Sequence, residues 1–293
     1  MKEYLAAVSG GPDSMALLDI YKDKIYAVCH VNYNKRETAV RDKNIVKQYC
    51  KKYNIKFYCL DVSQEMYESY KQHNFQTVAR IIRYEFFLKV AHKTKKKKIL
   101  IAHNLDDFAE TAYMQQVRSS NSLFYGIAKN NYYNDLLIER PLINKRKQAL
   151  EDYCIKHKIP YGIDETNSMD IYERNKIRKL ISSWSLLMFE KYIKQINAFN
   201  KKNASKLKTT NKWFNKWSES KYQNKVFIKI PNVIRNHVIY IFLSKNEIHG
   251  CSSKKLEAIA KFICSDNLNV DYRLAEKTLL HKNKNNISII KLK

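Results

Sequence analysis

Short apolar runs alternate with stretches of helical spacing through the first half of the chain. Tyr4–Val8, Ile25–Val31, Lys56–Val62 and Ile99–Ala102 read as strands. Ser14–Tyr21, Ala39–Tyr53, Val78–His92 and Asp106 to about Val117 carry the spacing of helices. Strand–helix alternation predicts an α/β fold, with a parallel sheet covered on both faces. Such sheets bind ligands beyond the carboxyl ends of their strands. Ser9, His30-Val31-Asn32, Asp61 and His103-Asn104 all fall at those ends, so four segments converge on one crevice.

The second half reads differently. A helix over Lys145–Lys158 leads through Pro160-Tyr161 to a polar stretch ending in Arg174-Asn175-Lys176-Ile177-Arg178. A helical segment, Leu180–Asn200, comes next, and the Lys/Asn-rich stretch Asn200–Lys212 shows no apolar period. That change places a domain boundary at residue 200, giving a catalytic domain over 1–200 and a small, mainly helical accessory domain over 201–293. Two helices, Arg235–Asn246 and Ser252–Cys264, and strand-like ends Val226–Ile230 and Ile287–Leu292 are expected in the latter.

Charge narrows the partners. The chain has 54 Lys+Arg against 28 Asp+Glu, a formal +26, which favours a polyanion such as nucleic acid. Abundant Lys and Tyr beside five Gly and four Pro also fit an A+T-rich coding sequence, so charge alone does not establish RNA binding. Six cysteines form no C-x-x-C pair and show no zinc spacing. The first residues enter a strand without the apolar stretch of a signal peptide, and no run reaches the length of a membrane span. A reduced, cytoplasmic protein without a membrane partner is expected.

Candidate chemistry begins at Ser9-Gly10-Gly11-Pro12-Asp13-Ser14, directly after the first strand, with two of the five glycines. Glycines permit a sharp turn and bring N–H groups close to a ligand, and the following helix offers its positive end. A bare Gly-Gly would fit a plain strand-to-helix turn, but the whole hexapeptide favours a phosphate site. No Gly-x-x-x-x-Gly-Lys-Ser/Thr and no Gly-x-Gly-x-x-Gly occurs, which excludes the Walker and dinucleotide loops. In the second informative segment, His103 to Thr111, Asn104 or Asp106 suits a helix cap. Asp107 and Glu110 lie three apart on one helical face, where they would bind an ammonium group or accept its proton. Arg80 and Arg83 share a face of another helix; a crevice that handles ATP and RNA phosphate favours Arg83 as a partner of phosphate or of transition-state charge.

The hexapeptide resembles the pyrophosphate loop of the N-type ATP pyrophosphatases, which have an adenine nucleotide alpha hydrolase-like fold. Five further segments narrow the likeness: His30-Val31-Asn32, Ala79 to Phe86, His103 to Thr111, Arg140-Pro141-Leu142, and Asp164-Glu165-Thr166-Asn167 with Arg174-Asn175-x-Ile177-Arg178. Together, from Ser9 to about Arg178, they resemble the tRNA(Ile)-lysidine synthetases. Tyr33 stands where that family commonly has a second histidine, and Lys35 where it has leucine before Arg36.

The resemblance implies a ligase that forms a C–N bond in two steps. ATP adenylates C2 of the first anticodon cytidine of tRNA(Ile) bearing CAU, releasing pyrophosphate, and free L-lysine then displaces AMP. The product, lysidine, changes the tRNA from methionine to isoleucine identity. Ser9, Gly10, Gly11, Pro12, Asp13, Ser14, His30, Asn32 and His103 would bind ATP, with Asp13 holding Mg2+. Asp107, Glu110 and Arg83 would be catalytic, the choice of base between the two carboxylates staying open. Arg80, Arg174, Asn175 and Arg178 would face tRNA, the last three at the anticodon stem or else on the α-phosphate. The Lys93–Lys98 run reads as a solvated loop, its contact with tRNA left open, as are a homodimer and the accessory domain's part in tRNA binding. ATP-dependent tRNA thiolation is the alternative, and it would need paired cysteines such as Cys29 and Cys154.

Overall fold

In a computed structural model, the described residues are 2–34, 38–70, 75–118, 121–163, 173–246, 248 and 250–292. They form two compact units: residues 1–110 with 127–179, and residues 111–126 with 180–293.

The first unit opens with β1 (Tyr4–Ala7), α1 (Pro12–Tyr21), β2 (Ile25–Asn32), α2 (Ala39–Lys52) and β3 (Lys56–Asp61). The short α3 (Gln64–Glu68), α4 (Phe75–Thr94), β4 (Lys98–Ile101) and α5 (Leu105–Val117) follow. Next come the hairpin β5 (Asn130–Tyr133) and β6 (Leu136–Glu139), then α6 (Lys147–Lys156) and α7 (Glu173–Ser182). The sheet order is β3-β2-β1-β4-β6-β5; only β5 runs antiparallel. The expected parallel α/β fold is therefore present.

Both sheet faces are buried. Ala6, Leu17, Leu18, Val28 and Leu100 pack with α1, α2 and α6 residues on one side, and Leu5, Ala27, Cys29, Ile99 and Ile138 pack with α4 on the other. Full burial of the leucine, isoleucine and valine side chains among them contributes about 1.5–3 kcal/mol each. Strand order reverses between β1 and β4, which creates the crevice where sheets of this type bind ligands. The loop after β1 and the segment after β4 both open there.

The second unit contains α8 (Leu186–Glu219), α9 (Asn224–Ile228), α10 (Asn232–Lys245) and α11 (Ser253–Cys264). An antiparallel sheet in the order β7 (Val270–Ala275), β8 (Thr278–Lys282), β9 (Ile287–Lys291) completes it. Trp217 anchors its core against Tyr222, Phe227 and Phe242, with ring centroids 4.9–5.1 Å away. Residue 200, the expected boundary, falls inside α8. Inward positions recur every seven residues at Phe189, Ile196, Asn203, Thr210 and Trp217, but two are polar and hide the period. Asn203 Nδ2 donates to the Phe199 carbonyl (3.0 Å) and Thr210 Oγ1 to that of Lys206 (2.8 Å), so each satisfies itself on the preceding turn. Val226–Ile230, read as strand-like, lies at α9, where Phe227 and Ile230 enter the core beside Trp217. No helix among the described residues is long and apolar enough to cross a membrane.

Candidate functional site

The loop after β1 takes its shape from Gly10 and Ser14. Gly10 has φ +98°, and a Cβ there would stand 2.9 Å from Asp42 Cβ. Gly11 has φ −74°, open to any residue, and an added Cβ would make only an ordinary contact at 3.7 Å. The sharp turn thus depends on one glycine of the pair. Ser14 Oγ accepts from the Ser9 and Gly10 N–H groups (3.2 and 3.1 Å) and donates to the Gly11 carbonyl (2.9 Å). Gly11, as N-cap, supplies no side-chain cap, and Pro12 brings no N–H to the first turn. The unpaired first-turn amides suit an anion.

Asp13 stands in the first turn of α1 with Oδ1 buried and without a hydrogen-bond partner. Burial, then the charge of Asp107, pushes its carboxyl up to about 7, against the opposing pull of Lys147 and the Asn104 side chain. Such a carboxylate is poorly compensated in the protein alone and suits a cation. Mg2+ needs few protein carboxylates when phosphates complete its coordination, so the position fits that ion.

The helix after β4 begins with a reciprocal cap. Asn104 Oδ1 accepts from Asp107 N–H (2.9 Å), and Asp107 Oδ2 accepts from Asn104 N–H (3.1 Å). Of the two expected caps for this helix, Asn104 is the one used. Asp106 serves α6 instead: its carboxylate accepts from Lys147 N–H (2.7 Å) and pairs with Arg146 (3.0 Å). Asp107 Oδ1 is left to face Arg174 Nη2 at 3.1 Å. Glu110 is buried, with Oε2 at 2.9 Å from Arg174 Nε and Oε1 at 3.0 Å from Arg178 Nε. Arg174 and Arg178, assigned to tRNA from the sequence, lie on the acidic pair. Asn175 lies between them on α7.

His103 is held neutral. Arg140 Nε can only donate, and it reaches His103 Nδ1 at 2.8 Å, so the ring proton sits on Nε2. Burial first, then the charges of Arg140, Arg174, Arg83 and Arg80, lowers this histidine to about 3. Those arginines therefore belong to the same crevice. Arg83 Nε donates to the Tyr33 hydroxyl (2.9 Å), which donates to the Ala79 carbonyl (3.0 Å). Tyr33, the departure from the family pattern, thus anchors Arg83. Arg80 stacks on Tyr84 with its guanidinium carbon 4.8 Å from the ring centroid.

His30 and Asn32 turn inward. His30 Nδ1 donates to the Val8 carbonyl (2.9 Å), and burial lowers the ring's affinity for a second proton. Asn32 donates to Asp61 Oδ1 (2.9 Å) and accepts from Asn34 N–H (3.0 Å). Both brace the crevice wall through these bonds. The Lys93–Lys98 run lies at the amino end of β4, where Lys96 donates to the Lys2 carbonyl (2.9 Å) and Lys98 pairs with Glu3 (3.3 Å). The crevice is at the other end of the strands. Lys35, Arg36 and Asp164-Glu165-Thr166-Asn167 fall outside the described residues.

Three participants escaped the sequence reading. Asp42 packs on Gly10, and a Cβ at Gly162 would fall 1.9 Å from its Oδ1; Gly162 N–H also donates to the Gly10 carbonyl (2.9 Å). Arg140 was read only as part of a motif. A lone glycine and an acidic residue 120 positions apart carry no local signal.

The six cysteines are free. Burial raises Cys29, Cys50 (to about 12) and Cys154 (to about 11), and Cys29 and Cys154 belong to cores on opposite sheet faces.

Comparison with known proteins agrees with this geometry. The model of the PP-loop domain family matches residues 1–183. A tRNA(Ile)-lysidine synthase of Ureaplasma parvum serovar 3 is 45% identical over 284 residues, 96% of this chain and 85% of the relative. One from Malacoplasma penetrans is 42% identical over 287 residues, covering 96% and 97%. A solved U34-tRNA thiolase of Methanococcus maripaludis, with its 4Fe-4S cluster, shares the fold at a TM-score of 0.55 and 14% identity, over 69% of this chain and 71% of that one. A phosphate loop at the strand-order reversal, an acidic pair on the neighbouring helix and relatives matched over nearly the whole length place the chain in one family: it belongs to the tRNA(Ile)-lysidine synthases.

Proposed function

We propose that the protein uses ATP to adenylate the C2 oxygen of the first anticodon cytidine in tRNA(Ile) with a CAU anticodon, and then joins free L-lysine to that carbon. The observation that carries this reading is the placement of Asp13, in the phosphate loop, within electrostatic reach of Asp107 on the helix that bears Glu110. One crevice thus offers a site for the triphosphate and a site for an ammonium group.

In the first step the C2 oxygen attacks the α-phosphorus, and the bond to the bridging oxygen breaks to release pyrophosphate. The first-turn amides of α1, the Gly11 N–H and the Ser9 hydroxyl meet the growing charge on the leaving group, in a loop whose shape the bonds of Gly10 N–H to Ser14 Oγ and of Ser14 Oγ to the Gly11 carbonyl fix. Mg2+, when bound, would neutralise phosphate charge, with Asp13 as its protein ligand. Arg83, steadied by Tyr33, supports the transition-state charge. His103 offers its Nε2–H as a neutral donor, and His30 and Asn32 keep the wall in shape.

In the second step the lysine ε-amine attacks C2, AMP leaves with the C2 oxygen, and the amine loses a proton. An ammonium of pKa about 10.4 is not nucleophilic until deprotonated. Asp107 has one oxygen committed to the helix cap, whereas both oxygens of Glu110 face only arginines. Glu110 therefore holds the ammonium and takes its proton, while Asp107 assists in binding. Arg174 spans both carboxylates now and must yield when lysine enters; Arg174, Asn175, Arg178 and Arg80 then face tRNA phosphates.

The test is incubation of ATP and labelled lysine with an unmodified CAU tRNA. Lysine incorporation, with one pyrophosphate released per lysine, is expected. Sulfur transfer from a donor while lysine stays free would replace the reading with thiolation, although buried, protonated thiols on opposite sheet faces argue against a relay.

A further inference from the structure

The crevice leaves α8 unexplained. Its eight lysines, at 191, 194, 201, 202, 206, 208, 212 and 216, are exposed except for the half-buried Lys206. At 3.6 residues per turn they occupy one arc of about 160°, opposite the buried Phe189, Ile196 and Phe214, with the buried Trp217 just outside its edge. The row from Lys191 to Lys216 is about 37 Å long at 1.5 Å per residue. The whole chain has 28 acidic residues in 293, yet the 28 consecutive positions 191–218 have none.

A+T-rich coding drift does not produce this pattern. Drift exchanges lysine and asparagine without regard to helical face, but the helix's asparagines at 197, 200, 203, 211 and 215 all fall outside the lysine arc. Asn200 packs inward, bonded on both sides to Tyr125. Lys202–Lys206, Lys208–Lys212 and Lys212–Lys216 are like-charge pairs at i,i+4, which weaken a helix. Helix-dipole compensation reaches only the last turn. A cationic arc of that length, free of acidic residues, complements a nucleic-acid backbone.

We propose that the lysine face of α8 holds the phosphate backbone of a base-paired arm of the substrate tRNA, a surface distinct from the residues that perform the chemistry. The proposal rests on the tRNA reading above. A bilayer is the poorer partner, because the large exposed apolar residues of α8, Leu186, Leu187 and Met188, are confined to its first turn, and Phe214 and Trp217 further along belong to the core.

The test compares two full-length variants of equal charge: Lys194→Gln/Lys201→Gln/Lys208→Gln/Lys212→Gln on the row, and Lys221→Gln/Lys225→Gln/Lys229→Gln/Lys261→Gln elsewhere in the unit. All eight side chains are exposed. Unchanged circular dichroism confirms that each variant folds. In the row variant the Kd for the CAU tRNA should rise at least about tenfold, and the slope of log affinity against log salt should shrink by about 3. Lysine incorporation at saturating tRNA should keep its wild-type rate, since uniform binding alone is lost. The second variant should change the slope by less than about 1. A row variant whose slope changes by less than that, or equal effects in the two variants, overturns the proposal. So does displacement of tRNA by phosphatidylserine vesicles that depends on the row lysines. A wild-type protein that binds tRNA but never incorporates lysine counts against the proposed reaction and leaves this comparison intact.

Discussion

Replacing His103 by Asn tests whether the crevice holds a neutral imidazole against Arg140. The ring is lowered from 6.5 to about 3 in the folded chain, chiefly by burial and then by Arg140. Below pH 6.5 the unfolded chain binds a proton that the folded chain refuses, so stability is complete above 6.5 and lost as pH falls towards 3. At pH 4.5 the unfolded ring lies two units below its pKa while the folded ring is still neutral. At 1.36 kcal/mol per unit this costs wild type about 2.7 kcal/mol relative to pH 7.5. Asn keeps an acceptor for Arg140 Nε and does not titrate. The difference in stability between wild type and H103N should therefore shift by about 2–3 kcal/mol in favour of H103N between pH 7.5 and 4.5. Constant costs of the substitution, such as lost ring volume, cancel in this double difference. All three tryptophans, Trp184, Trp213 and Trp217, lie in the second unit, so urea denaturation should be followed by far-UV circular dichroism. The effect belongs to the transition that tryptophan fluorescence does not report. Equal differences at the two pH values, or a variant more sensitive to acid than wild type, would refute the neutral ring.

Three other substitutions probe the same crevice. Glu110→Gln should leave pyrophosphate release within a few-fold of wild type and lower lysine transfer by about 10²–10⁴; loss of both activities together would end the division between loop and helix. Asp13→Asn should abolish pyrophosphate release, yet stabilise metal-free protein at pH 8. The Asp13 carboxyl, raised from 3.8 to about 7, favours folding fully below 3.8, an advantage lost as pH rises through 7. A shift of that size is worth about 4 kcal/mol in all, of which about 1.7 is already lost at pH 5, so in chelator the stability difference between wild type and D13N should move by about 2.6 kcal/mol in favour of D13N between pH 5 and pH 8. Gly10→Ala should cost about 1–3 kcal/mol and disable the loop, because φ is +98° and Asp42 blocks a Cβ. Gly11→Ala, at φ −74°, should stay within about 0.5 kcal/mol of wild type; equal damage from the two would show that the loop adopts another backbone.

Much of the first unit was legible because its signals are local. Buried parallel strands announce themselves as apolar runs, and the loop and the acidic helix follow two of them directly. The hairpin β5–β6 was not legible: Asn130 to Tyr133 is polar at the sheet edge, and its half-buried residues are an asparagine and a tyrosine rather than an apolar pair. The second unit was harder still. Asn203 and Thr210 occupy inward positions of α8 by bonding to the preceding turn, so one helix was read as a helix followed by a linker. The strands β7 and β8 pass unnoticed for a related reason. Lys282 is buried in β8 and reaches the Phe262 and Ser265 carbonyls at the end of α11, a charged residue in a core position. Among site residues, contacts across long stretches of sequence, such as Asp42 with Gly162 and Arg140 with His103, have no pattern that one chain reveals.

The sequence leaves Asp107 and Glu110 equivalent, since both are acidic and share one helical face. Backbone geometry separates them. A residue three positions after a helix cap is the one whose side chain can return to the cap's N–H, and that residue is Asp107. Using Asp107 as the proton acceptor would weaken the start of the helix that positions it. Glu110, one turn further on, owes nothing to the backbone, and its arginine partners are ones that a lysine ammonium can replace charge for charge. The substitution is nearly neutral electrostatically, because a carboxylate pair loses a guanidinium and gains an ammonium. In the proposed reaction the released Arg174 would be free to meet phosphate, coupling entry of the amine to the supply of positive charge for the substrate. A short capping bond thus sorts two like residues into a fixed support and an exchangeable one.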